Sequence, residues 1–363
     1  MLPILRRYCD DGCSNQEELT LTDLSLVSNL LIFAVLAAGI WLAGTYLTHL
    51  ADILSDRLNF SKSATGLLFL ALATSLPEVA TTVTAAVEQH TELLLNNLFG
   101  GIVVQTTMLA VADFWVRGSI TNYPRGAHHL LESVVLMLLL QILLAVILVG
   151  EPWGFGHVGI GSLVLGLCYI LVVLLLRSSY GGPQWVPIEM PDQIEGSKWV
   201  APSSQLSHLP TQRLLALAAG ACVVILLFGS AIVLVSELLA RQTGLGAGFV
   251  GASLLAAATS LPELSTTIAA VRLGAYTLAI SNILGSNLIM IALVAPADLL
   301  TMNGPILRDV DGSIGLTVIA ALLVTTVLCA GLIIRRKPEF LRFGSDSWII
   351  MFVWMTTVLL LLG

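Results

Sequence analysis

Ala71-Leu72-Ala73-Thr74-Ser75-Leu76-Pro77-Glu78 returns 185 positions later as Ala256-Ala257-Ala258-Thr259-Ser260-Leu261-Pro262-Glu263. Each copy sits inside a long apolar run. A carboxylate there is costly because lipid cannot solvate a charge, and a proline leaves one backbone carbonyl without its helical partner. Both features occurring twice, at matched positions, mark a site. Pro77 has no N–H to offer the carbonyl of Ala73, and Pro262 none for Ala258, so the helix is expected to loosen at each motif. Thr74 and Ser75 precede Glu78 by four and three residues, which predicts two hydroxyls beside one carboxylate on the same helix. Hydroxyl, carbonyl and carboxylate oxygens are the donors that hard cations take.

The likeness extends beyond the motif. Aligned without gaps at the same offset, 66–113 and 251–298 share 18 of 48 positions, including Thr81/Thr266, Thr82/Thr267, Asn97/Asn282, Gly100/Gly285 and Asp113/Asp298. The chain is a duplication.

The chain has 363 residues, 56% hydrophobic and 11% charged, with a mean hydropathy of +0.92. That is too apolar for a soluble protein of this length and reads as an all-α polytopic membrane protein. Apolar runs of membrane-spanning length predict ten spans, near 24–48, 65–87, 94–115, 128–149, 157–176, 213–239, 247–272, 278–300, 313–334 and 346–362. The expected organisation is a tail at 1–23, a first five-helix repeat at 24–176, a linker at 177–212 and a second five-helix repeat at 213–363. Residues 1–23 lack the apolar core of a cleavable signal. Because five is odd, the second repeat enters the membrane inverted, an arrangement that secondary transporters use to place a site at mid-membrane between interrupted helices.

Basic residues give the orientation. Twelve of them (Arg57, Lys62, Arg117, Arg125, Arg177, Lys198, Arg213, Arg272, Arg335, Arg336, Lys337 and Arg342) fall on one side, against Arg6, Arg7, Arg241 and Arg308 on the other. The positive-inside rule then puts both termini outside the cell (inner) membrane and the linker in the cytoplasm. Glu88, Glu92, Glu151, Glu237, Asp298, Asp309 and Asp311 on the outer side either gather cations electrostatically or merely reflect where the basic residues are absent. Cys9 and Cys13 lie in the tail, where an extracellular disulfide is compatible with the compartment; Cys168, Cys222 and Cys329 read as small core residues.

The paired T-S-L-P-E motifs, the S-N-x-x-G-S-N run from Ser281 to Asn287, the ten spans and the inverted repeat resemble the cation/calcium exchanger superfamily, most closely its prokaryotic sodium/calcium exchanger branch. The resemblance covers the two repeat cores strongly and the remainder in topology. It implies an electrogenic antiporter with a central calcium site flanked by sodium sites and no cofactor. By position, Glu78 and Glu263 would be the main calcium ligands, with backbone carbonyls of Thr74 and Thr259. Ser75 and Ser260 would line sodium sites beside the carbonyls of Ala71 and Ala256, and Ser286 would complete another. The implied partners are Ca²⁺, Na⁺ or H⁺ and the bilayer, not nucleic acid, with monomer and homodimer both open.

Three departures bear on coupling. Ala73 and Ala258 stand where the family usually opens the motif with glycine. Gly101 replaces the hydroxyl matching Ser286. At 27 residues after each motif glutamate, where Asn or Asp is usual, this chain has Gln105 and Met290. A thioether is a poor ligand for a hard cation, and two glutamates sharing a low-dielectric centre favour retaining at least one proton when it is empty. Proton/calcium exchange is therefore the alternative to sodium coupling. Gln105 is either a ligand or an interhelical hydrogen bond; Asn97 and Asn282 are expected to serve helix packing or capping rather than ion binding, and Asp113 and Asp298 helix ends. The pair His128-His129 with Glu132 reads as a solvated helix start. A channel would more often build its filter from several subunits, and a membrane hydrolase lacks both G-x-S-x-G and a zinc motif here, so the chain is not read as an enzyme.

Overall fold

The computed structural model describes residues 25–57, 74–116, 119–124, 127–179, 206–272, 274–334, 339–340 and 343–362. Cys9, Cys13, Ala71 and most of the 177–212 linker lie outside them. Among the described residues, twelve helices apart from short 3₁₀ turns follow in order: α1 Leu26–Arg57, α2 Leu76–Val87, α3 Thr91–Ala112, α4 His128–Val149, α5 Ile160–Ser179, α6 Thr211–Thr243, α7 Ala247–Thr259, α8 Leu261–Arg272, α9 Tyr276–Ala292, α10 Val294–Leu300, α11 Gly312–Ile334 and α12 Ser345–Leu362. Three of their limits show ordinary capping chemistry. Ser25 Oγ accepts from the N–H of Ser28 at the start of α1, while Gly150 (φ 76°) and Gly244 (φ 70°) end α4 and α6 in the left-handed conformation that glycine adopts without strain.

Among the described residues, eight helices, counting α9 with α10 as one, are long and apolar enough to cross a membrane, and α7 with α8 makes a ninth bent by 50°. The predicted second span is represented only by the 12 residues of α2. Element starts recur at the sequence offset: α1 and α6, α2 and α8, α3 and α9, and α5 and α12 each begin 185 residues apart. Two small antiparallel hairpins, unforeseen in the sequence, obey it too. Gly154 pairs with Gly159 and Phe155 with Val158, just before α5; Glu339 pairs with Gly344 and Phe340 with Phe343, just before α12.

The helices form two layers. α3, α4, α9 and α11 interlock around the main core, with Leu98, Phe99, Ile102, Leu139, Ile283 and Val324 fully or almost fully buried. α1 and α6 pack on each other through Leu47, Leu50, Leu54, Leu214 and Ile225 and lie across the core. They run antiparallel: Asn29 donates to Gln242 Oε1 at one end (2.9 Å) and Arg57 to Thr211 Oγ1 at the other (3.1 Å). Where α1 passes the second motif it carries Gly44, whose added Cβ would lie 2.9 Å from Pro262 Cβ. Where α6 passes the first it carries Gly229, 2.8 Å from Ala80 Cβ by the same construction. Absence of a side chain at these repeat-related crossings lets each long helix rest on the other repeat's proline helix.

Candidate functional site

The two motifs meet in the interior of the bundle. In the second copy the helix widens first: the N–H of Ala256 bonds back to the carbonyl of Gly251, one residue further than in an α-helix. It then breaks at Ser260, whose backbone (φ −84°, ψ 7°) leaves the helical basin before Leu261 and Pro262 open α8. Ser75 has the same geometry (φ −82°, ψ 9°) ahead of Pro77 and α2. The loosened helix of the sequence reading is present in the second copy, with its break at Ser260; in the first copy the described residues begin at Thr74, and Ser75 caps α2.

The breaks redirect the hydroxyls. Thr74 and Ser75 were expected beside Glu78; instead they cross to the other repeat, as does Ser260. Ser75 donates to Glu263 Oε1 (3.5 Å), and Thr74 hydrogen-bonds the same carboxyl. Ser260 donates to Glu78 Oε1 (3.5 Å). An uninterrupted helix would have stacked them one turn from their own carboxylate; the bend points them across the pseudo-symmetric interface. Thr259 instead donates to the carbonyl of Ala256 (3.3 Å), which also accepts the N–H of Ser260 (3.1 Å).

Helices α3 and α9 complete the centre. Ser286 donates to Glu263 Oε1 (3.2 Å) and lies 2.7 Å from Ser75 Oγ, a cluster of two hydroxyls on one carboxylate. The Gln105 amide donates to Glu78 Oε1 (3.3 Å) and Ser260 Oγ (3.2 Å), so its interhelical bond exists and is made to site residues. Glu78, Glu263, Thr74, Thr259, Ser75, Ser260, Ser286 and Gln105 are all inaccessible to solvent. Glu78 Oε2, Glu263 Oε2 and Gln105 Oε1 have no hydrogen-bond partner among the described residues. Three buried oxygens without a donor are costly unless something positive completes them.

Behind the glutamates each repeat carries the same support. Asn97 donates to Thr81 Oγ1, which donates to the carbonyl of Glu78; Asn282 donates to Thr266 Oγ1, which donates to the carbonyl of Glu263. This matches the packing role expected for the asparagines. Asp113 and Asp298 hold the ends of the bundle. Asp113 accepts from the N–H of Ile120 (2.7 Å) and Gly344 (3.2 Å) and the hydroxyl of Ser347 (2.5 Å). Asp298 accepts from the N–H of Ile306 (2.7 Å) and Gly159 (2.7 Å) and the hydroxyl of Ser162. Each aspartate thus ties its own repeat to the hairpin and last helix of the other.

One expectation changes. His129 and Glu132 are not a solvated helix start: both are buried, their side chains meet at 3.0 Å, and His129 Nδ1 lies 3.1 Å from Ser281 Oγ of α9. The first turn of α4 packs against α9, a contact no local pattern announces. The acidic residues at the end of the bundle with Arg241 and Arg308 are largely engaged in local structure. Glu92 accepts from the N–H of Gly248, Glu237 pairs with Arg241, and Asp311 is held below the usual carboxylate range by the N–H and hydroxyl of Ser313. Glu151, on a left-handed backbone (φ 45°), accepts from the N–H of Gly161 and Ser162, and burial pushes its carboxyl above the usual range. These contacts support the structural reading of that acidity over an electrostatic funnel.

Comparison with known proteins agrees with this architecture. The chain is 24% identical over 355 residues to the inner membrane protein YrbG of Escherichia coli (strain K12), covering 91% of this chain and 99% of that one. Among solved structures it resembles the H⁺/Ca²⁺ exchanger CAX (16% identity, TM-score 0.60, 92% of this chain and 87% of that one). It also resembles the sodium-calcium exchanger NCX_Mj (16% identity, TM-score 0.57, 92% and 97%). At that identity the structures establish the fold alone. The sodium/calcium exchanger protein family matches residues 28–177 and 213–362, the two repeats in turn. With both halves of the chain matched, this multi-pass membrane protein belongs to the sodium/calcium exchanger protein family and is an ion exchanger, not an enzyme.

Proposed function

We propose that the chain is a ten-span antiporter of two inverted five-helix repeats that exchanges calcium, or a similar divalent cation, for sodium by alternating access. The observation that carries this is the pair Glu78 and Glu263, fully buried and each reached by hydroxyls of the opposite repeat, with three neighbouring oxygens unpartnered. Two carboxylates match one divalent charge, and carboxylate, hydroxyl and amide oxygens are hard-cation donors. Ser75, Ser286 and Glu263 offer sodium three oxygens within one cluster. The carbonyls of Thr74, Thr259, Ala71 and Ala256 are the remaining proposed donors, Ala256 only once its two present bonds are released. The 185-residue offset of helix starts and the antiparallel α1 and α6 support the inverted repeat. Those two helices, seated by Gly44 and Gly229, would slide across the core to expose the site to each side in turn. Both termini and the Arg241 end of the bundle lie outside in this reading.

Proton coupling is the second reading, favoured by the thioether of Met290 in place of an oxygen ligand. Calcium uptake into proteoliposomes separates the two. Vesicles loaded with sodium, or loaded acidic, are diluted into calcium without that gradient. Sodium-driven uptake lost in both Glu78→Gln and Glu263→Gln is expected; uptake driven only by the proton gradient transfers the protein to proton coupling. No counter-ion-dependent flux of any divalent cation refutes antiport.

A further inference from the structure

The two halves of the central site are unequal, and the inequality has one structural origin. In the half around Glu263, Ser286 supplies a hydroxyl that meets both Ser75 and the carboxylate. Its repeat equivalent in the half around Glu78 is Gly101, and that space is taken. A Cβ on Gly101 would lie 2.6 Å from Cε and 2.9 Å from Sδ of Met290, which is completely buried. Met290 is itself the repeat equivalent of Gln105. The missing hydroxyl and the missing oxygen ligand are thus one packed contact: the thioether arm of one repeat fills the volume that a side chain at 101 would need. What remains polar around Glu78 Oε1 is Ser260 and the amide N–H group of Gln105, both acting as donors.

We infer that exchange is electroneutral, two monovalent cations for one divalent cation, because the Gly101–Met290 contact fills with a thioether the place where a hydroxyl and a further oxygen would coordinate a third monovalent ion. The charge count follows from the site. Glu78 and Glu263 carry two negative charges when ionised; one divalent ion cancels them, and so do two monovalent ions, one per carboxylate. Either loaded form crosses the membrane neutral. A third monovalent ion would leave one net positive charge in the interior and would need coordination by uncharged oxygens, where this chain places a methyl and a sulfur. The count is the same for sodium and for protons. It rests on the antiport reading above and departs from the electrogenic exchange that the family resemblance implies.

The test uses the full wild-type chain in proteoliposomes with a fixed counter-ion gradient, potassium on both sides, and valinomycin setting the potential at 0 or −100 mV. The steady-state calcium accumulation ratio is read in a sodium-gradient arm and a proton-gradient arm. The expected difference between the two potentials is below about twofold in whichever arm supports uptake. Movement of one net charge per cycle would change the ratio about 50-fold, since one charge across 100 mV is worth about 2.3 kcal/mol. Counter-ion-driven uptake with that 50-fold dependence overturns the inference and leaves antiport standing. Calcium entry that follows the potential without a counter-ion gradient, or no flux at all, overturns both.

Discussion

Asp113→Ala should destabilise the protein more than its position at a helix end suggests. The carboxylate accepts from the N–H of Ile120 and of Gly344 and from the hydroxyl of Ser347, all buried or nearly so. Truncation leaves three donors desolvated. Each unsatisfied buried donor costs about 1–3 kcal/mol, and neighbouring losses are not fully additive, so the expected total is roughly 3–6 kcal/mol. The shift in thermal midpoint per kcal/mol falls as the unfolding entropy grows with chain length, and at about 2.1 cal/mol/K per residue it is about 1.3 °C for this chain. A fall of about 4 °C or more is expected, read as the fraction of detergent-solubilised protein that remains monodisperse after heating. Asp113→Asn keeps one acceptor oxygen for Ile120 but turns an amide N–H₂ toward Gly344, so it should fall between wild type and Asp113→Ala. The repeat supplies an internal control: Asp298 makes the corresponding contacts to Ile306, Gly159 and Ser162. Asp298→Ala must therefore behave alike. If both alanine variants stay within about 1 °C of wild type the staple reasoning fails, and if only one falls the repeat equivalence fails.

Gly44→Val should slow calcium uptake at least about tenfold while leaving the protein folded in detergent, because a branched side chain would meet Pro262 at the crossing over which α1 is proposed to slide; unchanged turnover would exclude motion at this contact. His129→Ala should lower stability by about 3 kcal/mol through lost packing and hydrogen bonds to Glu132 and Ser281, whereas a solvated helix start would lose less than about 0.5 kcal/mol; thermal midpoints decide. Burial raises the Glu151 carboxyl, so the folded state binds more protons than the unfolded one in the window just above the usual carboxylate range, and its contribution to stability falls as pH rises through that window. Glu151→Gln should accordingly be at least as heat-stable as wild type at pH 7.5 and lose that advantage as pH drops toward about 4.5; an advantage that grows on acidification would contradict the burial argument.

The sequence carried the fold class and the address of the site. Apolar runs of spanning length, a duplication at a fixed offset, and a proline and a carboxylate in each copy are local patterns, and their physics is local: lipid rejects charge, and proline rejects the helix interior. The packing roles of Asn97 and Asn282 and the helix-end roles of Asp113 and Asp298 were legible for the same reason, from residue type and place in a span. The second span was legible as an apolar run, of which the described residues hold the 12-residue α2.

What only the tertiary structure decided are the pairings between residues about 150 or more positions apart. That Ser75 serves Glu263 and Ser260 serves Glu78 depends on helix breaks turning side chains across an interface, which spacing along one helix cannot reveal. The burial of His129 depends on α9 covering the first turn of α4. Gly101 and Met290, two separate departures along the chain, are in space one filled volume. A sequence records which groups lipid will tolerate and where the backbone must break; which groups then share a cavity is set by how two copies of one unit pack against each other.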